Sequence, residues 1–76
     1  MQMPLHILLS KTIPTPLGKM VAIGDQNYLY LLEFLERKTL DKQICGLKKL
    51  VKGEILDGEC KSTHFIEEEL GFYLAD

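Results

Sequence analysis

Cysteine is scarce in this sequence, which holds only Cys45 and Cys60 among its 76 residues. Two cysteines in an otherwise ordinary composition do not form a disulfide scaffold, and a structural zinc site needs four ligands at matched spacings. Because Cys45 and His6 offer no pair spacing to match that of Cys60 and His64, we expect no metal site. The sequence therefore predicts reduced thiols, as in a cytoplasmic protein.

An excess of basic charge is also lacking, since 9 Lys and Arg residues stand against 11 Asp and Glu residues. Proteins that bind nucleic acid by themselves gain most of their affinity by neutralising phosphates. The basic cluster of Lys48, Lys49 and Lys52 lies opposite the apolar stripe of a predicted helix, which indicates a solvated helix face. We therefore expect this chain alone to bind DNA weakly or not at all.

Long apolar runs are absent, and no stretch reaches the roughly 18 consecutive apolar residues that a membrane span needs. Pro4 and His6 precede a short apolar run without a basic leader or a small-residue cleavage site. We expect no membrane partner. The 76 residues, 46% of them apolar, suffice for a single domain over residues 1–76. Such a small domain gains little stability unless a partner covers part of its surface.

Short apolar runs predict three consecutive strands over residues 5–13, 20–23 and 28–34. In the first strand Leu5, Ile7 and Leu9 form the apolar face that we expect to be buried. Pairing should stop at Pro14 and Pro16, which cannot donate ladder hydrogen bonds. Residues 15–18 favour a type I turn, and residues 24–27 supply the next turn.

The third predicted strand is apolar on both faces. One face carries Tyr28, Tyr30, Leu32 and Phe34, and the other carries Leu29, Leu31 and Glu33. This pattern predicts a central strand that is covered on both sides, or a strand with one face covered by a neighbour missing from this chain.

The first helix has a suitable N-cap in Thr39, an acidic Asp41 in its first turn, and a suitable C′ residue in Gly53. Its apolar stripe follows helical spacing through Leu40, Ile44, Leu47 and Val51. A short strand at residues 55–56 and a turn at residues 57–58 come next.

The second helix begins near Ser62 or Thr63, either of which can cap it. Phe65 and Phe72 lie at the edge of its apolar stripe or beyond it and are candidate contacts for an absent neighbour. The stripe itself consists of Ile66, Leu70 and Tyr73, with Leu74 beside them. The order β-β-β-α-β-α with short turns predicts an α+β fold with a small antiparallel sheet.

The thiols and imidazoles offer little chemistry. Cys45, one step from the apolar stripe, is expected to be a small core residue that is buried or half-buried. Cys60 and His64 are four residues apart, but neither an orienting carboxylate nor an oxyanion loop is evident beside them. We therefore predict no catalytic residue.

The remaining polar motifs point the same way. Glu67, Glu68 and Glu69 follow one another on a helix, so their side chains point in different directions and cannot converge on one ion. Gly18 and Gly24 do not form a phosphate-binding loop, since neither begins a helix. We predict no cofactor-binding and no metal-ligating residue.

Four segments occur in a distinctive order: the turn at residues 15–18, the strands at residues 20–24 and 29–34, and the closing run of residues 69–76. In this order they resemble the amino-terminal domain of the methylated-DNA–protein-cysteine methyltransferases, the O6-alkylguanine repair proteins. The closing run is similar to the family's leucine-x-x-tyrosine-phenylalanine-alanine-glycine ending, with Leu74 and Asp76 in place of the usual phenylalanine and glycine.

The resemblance implies a ribonuclease-H-like fold and a structural supporting role. In this family the carboxy-terminal domain carries the helix-turn-helix that enters the DNA minor groove and the proline-cysteine-histidine-arginine motif with the alkyl-accepting cysteine. Neither Cys45 nor Cys60 stands in such a motif, so no acceptor role carries over. The strand-centred aspartate of a nuclease has no counterpart in residues 5–13 either.

Three functions stay open at this point. The preferred one is an amino-terminal structural domain that braces a catalytic domain absent here, contacts DNA only through that domain, and is inactive alone. The second is a free-standing interaction module that buries its spare apolar surface by forming a homodimer. The third is a small thiol or metal enzyme that uses Cys60 and His64.

Overall fold

The computed structural model describes residues 6–74. Its elements are β1 (His6–Thr15), β2 (Gly18–Gly24), β3 (Leu29–Phe34), α1 (Leu40–Val51), β4 (Gly53–Asp57) and α2 (Lys61–Leu74). This order and the α+β class confirm the prediction. Leu5 of the first predicted strand lies outside the described residues, as do Ala75 and Asp76 of the closing run and the side chains of Tyr73 and Leu74.

The strands form one mixed sheet in the order β3-β2-β1-β4. The first three strands make an antiparallel meander, as their short turns predict. β4 lies parallel to β1, with a register that runs from His6–Gly53 to Ser10–Asp57, and this parallel pair was not part of the antiparallel prediction. Parallel strands require a crossover connection, and α1 provides it between β3 and β4.

Pro14 does not end strand pairing, which corrects the prediction. β1 continues to Thr15, and Pro14 lies opposite Lys19. Thr15 and Gly18 close a two-residue loop and thus form a hydrogen-bonded pair. Hydrogen-bonded and non-hydrogen-bonded pairs alternate along an antiparallel ladder, so the neighbouring Pro14–Lys19 pair needs no backbone N–H from Pro14 toward β2. The Pro14 nitrogen then faces the other side, where β4 has already ended its pairing at Ser10. Proline is tolerated at such an open edge.

The face of β1 that is buried most deeply is not the predicted one. Leu8 is 0% exposed, whereas Ile7 on the opposite face is 49% exposed. The reason is that α1 covers the face with Leu8, while α2 covers the other face farther along the strand, where Ile13 is 2% exposed. Apolar alternation identifies a strand without showing where a helix covers it.

β3 is an edge strand, which corrects its predicted central position. A bulge between Ile23 and Gly24 also changes the predicted faces, because it places Leu29 opposite Gly24 and Leu32 opposite Ala22. Opposite residues share a face of the sheet, and so do residues two apart in one strand. Leu29 therefore lies on the same face as Leu32, although simple alternation puts them on opposite faces.

α1 places its apolar stripe on the core as predicted. Leu40 is 6% exposed and packs in one cluster with Leu8, Val21 and Ile23. The partly buried residues packed against that cluster include Ile44, Leu47 and Val51 from the same helix and Ile55 from β4. Thr39 precedes the helix, but its side chain makes no cap hydrogen bond to the backbone.

The end of α1 differs from the prediction. Lys52, rather than Gly53, takes the left-handed conformation with φ 53° and ψ 50°, and its N–H donates to the Lys48 carbonyl. Gly53 instead begins β4 opposite His6, where a Cβ atom would collide with the His6 carbonyl. The glycine therefore serves the close approach of β4 to β1, and not the helix cap.

α2 begins at Lys61, before the predicted caps Ser62 and Thr63. The Thr63 side chain is fully buried, accepts a hydrogen bond from the Cys60 N–H at 3.0 Å and donates one to the Cys60 carbonyl at 3.1 Å. A first-turn side chain that reaches back to the N–H of the capping residue is half of a capping box. Thr63 thus stabilises the start of the helix from inside it.

Candidate functional site

Lys11 is a charged residue on the sheet face that α2 covers. It lies opposite Ala22, which is 0% exposed, and its own side chain is 27% exposed. Its ammonium group donates hydrogen bonds to Glu59 in the loop between β4 and α2, and to Glu67 on α2 at 2.6 Å. One lysine thereby joins three segments that are distant in sequence.

The hydrogen bonds in this cluster stabilise the charged forms of Lys11 and Glu59. Hydrogen bonds to Glu59 and Glu67 raise the pKa of Lys11 above its ordinary value of 10.5. The hydrogen bond from Lys11 is also the main reason why the pKa of Glu59 lies below its ordinary value of 4.5. Lys11 and Glu59 are therefore both charged over the whole neutral range.

His64, in the first turn of α2, lies between two carboxylates. Its Nδ1 is 3.4 Å from Oε2 of Glu59, and its Nε2 is 3.6 Å from Oε1 of Glu68. The expectation that His64 has no neighbouring carboxylate is therefore wrong. One potential ligand atom from each of Glu59, His64 and Glu67 lies within 4.8 Å of the others, and both carboxylates are also bonded to Lys11.

The acidic run on α2 diverges as predicted, since Glu67 contacts Lys11 and Glu68 contacts His64. Sequence reasoning missed the cluster because its members Lys11 and Glu59 come from other segments. One signal was available: Lys11 continues the strand face of Leu9, and a charged residue on an apolar strand face needs a partner.

Cys60 immediately precedes α2 and is partly buried. Burial acts to raise the pKa of its thiol, but hydrogen bonds with the side chains and backbone of Ser62 and Thr63 outweigh burial and lower the pKa below 9.0. Its Sγ lies 3.4 Å from Oγ of Ser62 and 3.6 Å from Oγ1 of Thr63. Within residues 6–74 no hydrogen bond joins this thiol to the ring of His64, so the two do not form a nucleophile–base pair.

The other two candidate residues lie apart from this cluster. Cys45 on α1 is exposed, which corrects its expected place in the core, because the buried stripe of α1 does not include its position. His6 places Nε2 3.0 Å from Oδ2 of Asp25. Its ring packs edge-to-face on Tyr30, with the ring centroids 5.9 Å apart.

Asp25 fastens the turn between β2 and β3. Its Oδ1 accepts hydrogen bonds from the N–H groups of Asn27 and Tyr28, each at 2.8 Å, and its Oδ2 accepts one from the Tyr30 hydroxyl at 3.4 Å besides facing His6. Burial raises the pKa of Asp25, but these hydrogen bonds outweigh it and hold the pKa below 3.8. Because both oxygens are engaged, the aspartate orders a turn.

An apolar groove lies between α2 and β3. α2 packs chiefly on β1 and β2. The β3 side chains on the same face of the sheet therefore lie beside the helix and not beneath it. Phe65 and Phe72 on α2 are 63% and 81% exposed, and Leu29 on β3 is 37% exposed. We call this surface the α2–β3 groove and define it by these three residues together with Leu32 and Phe34.

The groove widens into a cleft of about 590 Å³ near the amino terminus of α2. Leu29, Phe65 and Ile66 form its apolar part. The polar lining consists of Gln26, Asn27, Lys61, Ser62, His64 and Glu68. An apolar centre within a polar rim is the composition of a protein interface.

The basic residues of α1 behave as predicted. Lys48, Lys49 and Lys52 are exposed; the first two belong to α1, whose stripe packs on the opposite side, and Lys52 is its C-cap. Leu50 beside them is 80% exposed. This surface is solvated.

No family model, curated protein or solved structure matches this chain. Neither helix within residues 6–74 is long and apolar enough to cross a membrane.

Proposed function

We propose that this chain is the amino-terminal support domain of a methylated-DNA–protein-cysteine methyltransferase, which braces the catalytic domain of that repair protein through the α2–β3 groove. In this role it is a cytoplasmic DNA-repair component that contacts DNA only through the catalytic domain. It accepts no alkyl group itself.

The exposed aromatic pair on α2 carries this proposal. Phe65 and Phe72 are 63% and 81% exposed, and their spacing puts them on one side of the helix about 10 Å apart. Aromatic side chains of this kind are enriched at the centres of protein interfaces, where a few of them supply most of the binding energy. Leu29 extends the same apolar surface onto β3.

The polar clusters agree with a supporting role. Lys11 is held by Glu59 and Glu67, and both oxygens of Asp25 are used to order a turn. These charged side chains are used in hydrogen bonds within the fold, whereas the α2–β3 groove exposes apolar side chains to solvent. The resemblance in residues 15–18, 20–24 and 29–34 falls on the β-meander that carries one wall of the groove.

Binding to a separately produced carboxy-terminal domain of a family member tests the docking claim. We expect calorimetry to show a one-to-one complex with the intact chain and at least about 30-fold weaker binding with a Phe65→Ser/Phe72→Ser double variant. Leu50→Ser on α1 is the matched control, since Leu50 is equally exposed but lies outside the groove. Equal binding by the double variant and the control variant would contradict the proposal.

An alkyl-transfer assay tests the claim of inactivity. The chain is incubated with an oligonucleotide that contains O6-methylguanine, and its mass is then measured. We expect no added methyl group on Cys45 or Cys60. Stoichiometric methylation of either cysteine would contradict the supporting role.

A homodimer is the second candidate, and the free edge of β3 favours it. Edge strands carry unpaired backbone groups that readily pair with another chain, and here the edge borders the groove. Sedimentation velocity separates the candidates: a dimer that persists on dilution favours self-association, and a monomer that binds the added catalytic domain favours the first proposal.

A further inference from the structure

Two glutamates flank the exposed aromatic pair on α2. Building on the proposed function, we infer that the partner surface that docks on the α2–β3 groove is basic. Its Lys or Arg side chains pair with Glu68 and Glu69, while its apolar side chains cover Phe65 and Phe72.

The spacing along α2 places the glutamates beside the aromatic pair. Glu68 comes three residues after Phe65 and four before Phe72. Glu69 comes four residues after Phe65 and three before Phe72. Residues three and four apart are neighbours on a helix surface, and at about 3.6 residues per turn the two glutamates fall on opposite sides of the aromatic pair. A partner that covers the aromatic pair therefore comes within reach of both carboxylates.

Neither glutamate forms an ion pair with a lysine or arginine among residues 6–74. The side chain of Glu68 is 61% exposed, and its Oε1 lies 3.6 Å from Nε2 of His64, beyond the usual N–H···O hydrogen bond of about 2.7–3.2 Å. Glu69 is partly exposed. A carboxylate that loses its water at an interface needs a cation or a hydrogen-bond donor in exchange. The partner has to supply such groups next to its apolar side chains.

The charges of the chain are divided between two segments. Residues 37–52, which include α1, hold six of the nine Lys and Arg residues and only one acidic residue. Residues 54–69, which include most of β4 and of α2, hold six of the eleven Asp and Glu residues and, with histidine left out, only one basic residue. Since α1 and α2 cover opposite faces of the sheet, the α1 side is positive and the α2 side is negative. Such a field attracts a basic surface to α2 and turns it away from α1.

A DNA-binding catalytic domain suits this field. A domain that binds DNA neutralises phosphates with Lys and Arg side chains, so an excess of basic residues is expected in it. Acidic residues beside the groove then speed the encounter with that domain and fix its orientation, whereas the aromatic side chains supply most of the affinity. The same negative charge repels DNA from the groove.

Association kinetics test the charge of the partner, with the separately produced carboxy-terminal domain of a family member as the probe. Surface plasmon resonance is measured at about 50 mM and about 300 mM sodium chloride, because added salt screens the charges. At the lower concentration a Glu68→Gln/Glu69→Gln double variant should associate at least about fivefold more slowly than the intact chain. At the higher concentration the difference should shrink to less than about twofold.

A Glu54→Gln/Asp57→Asn double variant is the matched control. It makes the same change of net charge on β4, at the sheet edge farthest from β3, and should slow association by less than about twofold. Circular dichroism checks that both variants are folded.

The possible failures are distinguishable. If binding depends on Phe65 and Phe72 but the Glu68→Gln/Glu69→Gln variant associates as fast as the intact chain at both salt concentrations, the basic partner is overturned and the proposed function stands. Equal slowing by the two double variants would also overturn it, because net charge alone would then explain the effect. If no complex forms at either salt concentration, the proposed function fails and the basic partner fails with it.

Discussion

The two faces of the sheet differ in what covers them. On one face α1 seats Leu40 on Leu8, Val21 and Ile23, and the resulting core is closed. On the other face Lys11 bonds to Glu67 of α2 and to Glu59 of the preceding loop, while Phe65 and Phe72 are largely exposed to solvent. The first face is closed by its helix, whereas the second combines the buried side chains of Ile13 and Ala22 with apolar side chains that stay exposed beside α2.

This difference explains how a small domain can bury enough apolar area to fold and still leave apolar side chains exposed on its surface. Burial on the α1 face gains free energy in proportion to the apolar area removed from water. The α2 face buries Ile13 and Ala22 as well, and it adds the hydrogen bonds and ion pairs of Lys11, which contribute little net stability at the surface but fix the position of the helix. Phe65 and Phe72 on α2 and Leu29 beside it stay partly or largely exposed to solvent.

Removing the side chain of Leu8 should have the largest effect. Leu8 is 0% exposed in the α1-side core, so Leu8→Ala should lower the free energy of unfolding by about 3 kcal/mol. Ile7→Ala is the matched control on the opposite face, where the side chain is 49% exposed, and should cost less than half as much. Urea unfolding followed by circular dichroism measures both. Equal losses would contradict the difference between the faces.

Loss of the Asp25 carboxylate should have the next largest effect. Asp25→Ala removes two backbone hydrogen bonds from the turn and should cost about 1–2 kcal/mol, whereas Asp25→Asn keeps an acceptor oxygen and should cost less. Because the pKa of Asp25 is lowered on folding, its contribution is present above pH 3.8 and is lost as the pH falls through the folded-state value. The Asp25→Asn variant should lack this part of the pH dependence. Urea unfolding across this pH range measures both effects, and equal stability of both variants would contradict the assignment.

Lys11→Met should change the titration of Glu59. Lys11 is the main reason for the lowered pKa of Glu59, so the variant should move that pKa up toward 4.5. The stability that this carboxylate contributes is present above pH 4.5 in the wild-type chain and is lost as the pH falls through the folded-state pKa. Carbon-detected NMR titration measures the shift. Lys42→Met on α1 is the control and should leave Glu59 unchanged; an unchanged Glu59 in Lys11→Met would contradict the cluster.

Shortening the aromatic side chains of the groove should have the smallest effect on the fold. Phe65 and Phe72 are mostly exposed, so Phe65→Ser and Phe72→Ser should each change the free energy of unfolding by less than about 0.5 kcal/mol. The same urea unfolding experiment measures this. A loss comparable to that of Leu8→Ala would show that the two residues belong to the core.

Local patterns in the sequence predicted much of the fold. The stripe of α1 follows from the spacing of Leu40 and Ile44, and the hairpin turn follows from residues 15–18, because these features depend on residues close together in the chain. The element order β-β-β-α-β-α was recovered for the same reason. The predicted element boundaries were less accurate where a residue has its role in a different element. Gly53, predicted as the C′ residue of α1, instead allows the close approach of β4 to β1.

The site was harder to predict because its contacts are distant in sequence. Lys11 meets Glu59 and Glu67 across 48 and 56 positions, and no spacing rule connects residues so far apart. The bulge that moves Leu29 to the groove face also depends on how β2 and β3 pair. Only the exposed position of Phe65 and Phe72 beyond the apolar stripe could be expected from the helix pattern alone.

Amide hydrogen exchange shows whether a catalytic domain binds this chain at the α2–β3 groove. The intact chain is measured alone and after mixing with the carboxy-terminal catalytic domain of a methylated-DNA–protein-cysteine methyltransferase. We expect slower exchange in β3 and α2, which border the groove, and unchanged exchange in α1. Unchanged exchange everywhere, or protection confined to α1, would contradict it.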